Sequence, residues 1–135
     1  MLVSQLPLRD AYLKCSSGTT VDKLAKLFVE QRGYTTSVIL ASDGKLMGVI
    51  SIYDIIAKVV AANLLPSNIR VDDIMERAIF VSTNDEVEKV LDLMKRTGFT
   101  VLPVVDEQGR YVGAVMLADI ARVAQQARNN ETSAS

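Results

Sequence analysis

The chain has 135 residues, 49% of them hydrophobic, and 15 basic against 16 acidic side chains give a net charge of −1. Such a chain has ample material for a core and no excess of cations to displace counterions from phosphates, so neither disorder nor nucleic-acid binding is expected. With no histidine and a single cysteine, Cys15, composition argues against a zinc site and excludes a Cys–His nucleophile pair and an intrachain disulfide.

No apolar run has the length to span a bilayer, and Met1–Asp10 lacks the basic-then-apolar layout of a secretion signal; the cytoplasm is the expected location, with no membrane partner. Pro7 marks an extended lead-in, and Ala11–Cys15 alternates weakly, as a short strand does. Ser16–Thr20 reads as a loop with Thr20 placed to cap a helix, in which Val21, Leu24, Leu27 and Phe28 form one apolar stripe and Gly33 is the C-cap. Thr36–Ala41 and Leu46–Ser51 are predicted strands joined by the Ser42–Lys45 turn. The helix after Ser51 is expected to turn Ile52, Ile55, Ile56, Val59 and Val60 inward, with Pro66 beyond its end.

A linker over 66–70 follows, and Asp72 and Asp73 open a short helical turn through Ile74 and Met75. Then the order returns. Ile79–Ser82 is a strand, Thr83 or Asn84 caps the next helix, and Val87, Val90, Leu91 and Met94 are its apolar stripe. Strands Thr100–Val105 and Tyr111–Met116 flank the Asp106–Gly109 turn, and the last helix carries Leu117, Ile120, Ala121 and Ala124 on its core side. Residues 129–135 are polar and expected as a flexible tail.

The return is regular. Gly48–Ile55 reads Gly-x-apolar-x-x-x-Asp-Ile and so does Gly113–Ile120, 65 residues later, an offset that Gly33 with Gly98 and Gly44 with Gly109 keep. The prediction is an α+β fold of two βαββα repeats, residues 1–65 and 71–128, related by an approximate twofold. Each repeat is too small to stand alone, so one shared core is expected. No Gly-x-x-x-x-Gly-Lys loop and no nucleophile–base pair is evident, and an enzyme is not expected.

The two halves resemble a pair of CBS domains (cystathionine-β-synthase repeats) from about Leu8 to Gln126. The resemblance rests on the element order, on Leu102–Pro103–Val104–Val105–Asp106 before an Asp-x-x-Gly hairpin, and on the repeated Asp-Ile ending. It implies a disc with two clefts, no catalytic activity, no required cofactor, and regulation of an attached or associated protein whose identity the sequence does not indicate. The implied ligand contains adenosine: AMP, ADP, ATP, S-adenosylmethionine or NAD.

From the residues themselves, Asp54 in the first turn of a helix can accept both hydroxyls of a ribose, and Ser51 can donate to a ribose oxygen or a phosphate. The bland alternative is that the pair merely caps a helix, and the duplicated pattern favours the ligand site at Asp54. The resemblance adds Ile79, Phe99 and Thr100 around the adenine, with Val49 beneath. For the second cleft it implies Asp119 at the ribose, lined by Leu13, Tyr34, Thr35 and Ala114. There Met116 stands in place of Ser51 and offers no hydroxyl, so the clefts are expected to be unequal. Thr35–Thr36 and Thr100–Val101 occupy positions where relatives holding several phosphates carry Arg or His, and Lys14, Arg70 and Arg77 read as solvated surface. AMP is therefore expected ahead of ADP and ATP. Pairs of this kind often homodimerise through their helices, here Ile56–Val60 and Ala121–Gln125. The alternative to a nucleotide sensor is a ligand-free homodimerisation or protein-interaction module.

Overall fold

In the computed structural model, which describes residues 1–134 and the side chains of residues 1–130, each half of the chain builds one three-stranded sheet. β1 (Leu13–Ser16) lies parallel to β2 (Thr36–Leu40), with helix α1 (Val21–Glu30) as the crossover, and β2 pairs antiparallel with β3 (Leu46–Ser51). β3 leads straight into α2 (Ile52–Ile55), whose continuation Ile56–Val60 is wound as a π-helix. After the short α3 (Val71–Ile74), the order repeats as β4 (Val81–Ser82), α4 (Val87–Thr97), β5 (Val101–Val105), β6 (Tyr111–Met116) and α5 (Leu117–Ala134). β4 is parallel to β5, and β5 is antiparallel to β6. The α+β architecture of two βαββα repeats is the one expected.

The hydrophobic interior departs from the expected single core. One cluster gathers Val81, Val87, Val90, Leu102, Val115 and Ile120 of the second half around Val3 and Leu6. The other gathers Leu13, Val21, Leu24, Ile39, Ile50 and Val59 of the first half around Val71 and Ile74. Each half is completed by the segment that leads into the other. Backbone pairing imposes the exchange: Val3 N–H donates to Asp85 O at 2.9 Å and Val71 N–H to Thr19 O at 2.8 Å. Further on, Arg9 exchanges two backbone bonds with Ala114 (2.8 and 2.9 Å), and Glu76 does the same with Val49 (2.8 and 3.0 Å).

This crossing explains the glycine that recurs at the middle of β3 and β6. A methyl group on Gly48 would stand 2.8 Å from both Glu76 O and Met75 Sδ, and one on Gly113 would stand 3.0 Å from Leu8 Cβ. Helix starts follow the same logic. Thr20 sits at the α1 boundary without a capping bond, and α4 begins after Glu86 rather than at Thr83 or Asn84. The first N–H groups are satisfied from the exchanged segments instead, Val21 by Ile69 O (2.8 Å) and Val87 by Met1 O (2.9 Å). Gly98, at φ +79°, caps α4, whereas α1 is capped at Gln31 and Gly33 lies beyond it.

Two helix faces differ from the expected stripes. On α2 and its π-wound continuation only Val59 is fully buried and Ile55 packs beside it, while Ile52, Ile56 and Val60 are exposed. Widening the turn to i+5 bonds, such as Ala61 N–H to Ile56 O, breaks the 3.6-residue period on which the stripe was drawn. On α5, Ile120 is buried and Val123 rather than Ala121 packs on the core, Ala121 being exposed. The helix is continuous to Ala134, through most of the stretch read as a tail, and residue 135 lies outside the described residues.

Candidate functional site: a cleft across the pseudo-twofold

The exchange of lead-in segments leaves a cleft of about 480 Å³ between the halves. The first half contributes Ala11, Tyr12, Thr35, Thr36 and Val49 to its walls. The second contributes Glu76, Arg77 and Ile79 before β4, and Phe99 through Pro103 at the start of β5. Ile79 and Phe99 are 43% and 46% exposed, although both are large and apolar. Apolar side chains left open in a concave wall mark a surface that gains by being covered. β4 is too short to pair with β5 before Val104, so Pro103 interrupts no ladder bond on that side. Tyr12 packs edge-on to Tyr111, with ring centroids 6.5 Å apart, and burial pushes both phenols up to about 12.

Five of the residues singled out from sequence meet here: Thr35, Val49, Ile79, Phe99 and Thr100. Ser51 and Asp54 do not line the cleft but adjoin its rim, because Ser51 is the register partner of Thr36 and Ile52 N–H donates to Thr35 O at 2.9 Å. They hold each other in a reciprocal cap. Asp54 N–H donates to Ser51 Oγ at 3.0 Å, and Ser51 N–H donates to Asp54 Oδ2 at 2.8 Å. The other carboxylate oxygen lies 3.9 Å from Lys58 Nζ, and Lys58 also donates to Ile74 O at 2.8 Å and pairs with Glu76.

The group drawn for the second cleft does not assemble around one cavity. Asp119 is almost wholly buried and accepts two bonds of 2.9 Å from Arg9, through Nε and Nη2, and a third from Arg122. The Arg9 guanidinium, joined by the charge of Arg122, holds this carboxyl below the usual carboxylate range. Leu13 is part of the first half's core, Ala114 is fully buried against Arg9, and the Tyr34 hydroxyl donates to Asp10 Oδ2 at 2.9 Å, which raises its pKa. Thr35 is the member of that group that reaches the cleft.

Arg77 is the wall residue of most chemical interest that was read differently from sequence, as solvated surface; it is exposed, yet it lines the cleft. Ala11 and Tyr12 were missed for a geometric reason. The repeat offset is 65 at Gly48 and Gly113 but 68 at Val3 and Val71, so projecting Ile79 back by the motif spacing does not land on them. Among the described residues no group of three or more Cys, Asp or Glu is placed to hold a metal ion, and no helix is long and apolar enough to cross a membrane.

A family model for the CBS domain matches residues 3–61 and again 71–125. The chain is 32% identical over 117 residues to the magnesium transporter MgtE of Thermus thermophilus, an overlap of 83% of this chain and 24% of the transporter. It spans less than two thirds of the length of the first curated relatives that it matches. Among solved structures, CBSX2 in complex with AMP matches with TM-score 0.68 and 26% identity, over 94% of this chain and 98% of that one. The cytosolic domain of the Mg2+ channel MgtE in complex with ATP matches with TM-score 0.69 and 29% identity, over 90% and 51% of the respective chains.

Proposed function

The chain belongs to the CBS-domain family, whose pairs are regulatory, ligand-binding modules, and we propose that this pair is a non-catalytic sensor for an adenine nucleotide, with AMP preferred. The observation that carries this is the cleft between the halves, where exposed Ile79 and Phe99 offer apolar cover for a flat base beside the hydroxyls of Thr35, Thr36 and Thr100. Related modules solved with AMP and with ATP support the ligand class. The preference for a monophosphate comes from charge. Arg77 is the one cation among the described wall residues, and Glu76 lies next to it, so each further phosphate adds repulsion without a new partner. Asp54, at the rim, is the ribose acceptor in this reading, and the nucleotide's output passes to a regulated protein.

Isothermal titration with AMP, ADP, ATP and 2′-deoxy-AMP tests the proposal. AMP should bind tightest, and Asp54→Ala should weaken it by about 10- to 150-fold, the loss of one charge-assisted hydrogen bond of about 1.5–3 kcal/mol. ATP binding tenfold more tightly than AMP would contradict the single-cation reading. A second reading, homodimerisation through the helices, is favoured by the apolar residues Ile52, Ile56, Val60 and Leu64 left exposed on and just after α2. Sedimentation equilibrium should give a dimer mass that Ile56→Glu reduces to a monomer; a monomeric wild type removes this reading and leaves the nucleotide one intact.

A further inference from the structure

The two halves treat equivalent carboxylates in opposite ways. Val49 and Ala114 occupy the same place in the repeat, and the residues paired with them across the crossing are Glu76 and Arg9 respectively. At the Asp54 end the crossing segment therefore brings an acid, bridged to Asp54 only through Lys58, whose ammonium stands 3.9 Å from the carboxylate. At the Asp119 end it brings a guanidinium, which grips Asp119 through two bonds of 2.9 Å. Arg122 adds a second clamp where the first half has Ala57. As a result the Asp119 side chain is 6% exposed against 18% for Asp54. Met116, moreover, offers no donor where Ser51 does.

We infer that Arg9 and Arg122 act as an internal surrogate ligand for Asp119, closing that end so that each chain takes up one nucleotide, with its sugar toward Asp54. The inference rests on the nucleotide reading above and assigns its stoichiometry and direction. A bidentate guanidinium–carboxylate pair is stronger than the bonds that neutral ribose hydroxyls could make, and displacing it would strand a buried charge. Arg9 is held in place by its backbone bonds to Ala114, which any side chain there preserves.

Native mass spectrometry of the full chain with AMP in excess counts the bound nucleotides without any substitution. One AMP per chain is expected, and two would overturn the inference while leaving the nucleotide reading standing. No adduct with AMP, ADP or ATP would overturn both. The paired substitution Arg9→Gln with Arg122→Gln, its fold checked by a cooperative thermal melt, should raise the count from one to two. A folded double variant that still takes one AMP would refute the role given to the two arginines.

Discussion

Replacing Gly48 by alanine tests the crossing on which the cleft depends. Gly48 has an ordinary backbone conformation, so alanine meets no torsional penalty and the cost is purely steric. Its methyl group would lie 2.8 Å from the Glu76 carbonyl and 2.8 Å from Met75 Sδ; the sulfur can move, but the carbonyl belongs to a fixed backbone pair. Relief requires the 75–79 segment to move outward, stretching the bonds Val49 N–H to Glu76 O (3.0 Å) and Glu76 N–H to Val49 O (2.8 Å). Overpacking costs about 1–3 kcal/mol, and two hydrogen bonds that are stretched rather than broken lose about 0.5 kcal/mol each, so a loss of about 2–4 kcal/mol is expected. For a domain of this size that corresponds to a melting temperature lower by about 6–20 °C. Calorimetry measures this directly, with Met47→Ala, an exposed neighbour on the same strand, as a control expected to change stability by less than about 0.5 kcal/mol. Because Arg77 and Ile79 ride on the displaced segment, AMP affinity should fall in the same variant. A Gly48→Ala protein melting within about 2 °C of wild type would show that the crossing is slack and that the repeated glycine needs another explanation.

Other outcomes follow from the same structure. The interlocked lead-in segments should make the ligand-free chain unfold in one calorimetric transition, because each core is completed by the lead-in segment of the other half; two separated transitions would contradict the exchange. Tyrosinate absorbance should show Tyr12 and Tyr111 ionising near pH 12 rather than near the ordinary value of about 10. Their folded pKa is raised, so their contribution to stability is complete below about pH 10 and is lost as pH rises toward 12; full ionisation of both by pH 10.5 in folded protein would refute their burial. Asp72, held by Ser17 and Gly18, and Asp119, held by Arg9, both lie below the usual carboxylate range. With depressed folded values, their stabilisation is present above about pH 4 and is lost as pH falls through those values. Asp119→Asn should accordingly lose less melting temperature than wild type between pH 7 and pH 3, and equal losses would discount the Arg9 pair.

Much of this molecule was legible from periodicity alone. The strands Leu46–Ser51 and Tyr111–Met116 and the βαββα order of both halves follow from local alternation, turn chemistry and a repeat of 65 residues, all of which act between neighbours in the chain. The resemblance to CBS-domain pairs, carried onto positions of the repeated pattern, supplied Thr35, Val49, Ile79, Phe99 and Thr100, which periodicity by itself does not single out. What no local rule could supply was which segment completes which core. Val3 and Leu6 pack in the second half, and Val71 and Ile74 pack in the first, because those backbones find their hydrogen-bond partners across the molecule. That choice brought Arg77 into the cleft and set Arg9 on Asp119, whereas Glu76 stands opposite Asp54. Asp54 and Asp119 look alike in sequence because their own repeats are alike. They differ in three dimensions because the charge placed opposite each comes from elsewhere in the chain, and a carboxylate's availability is decided by that partner.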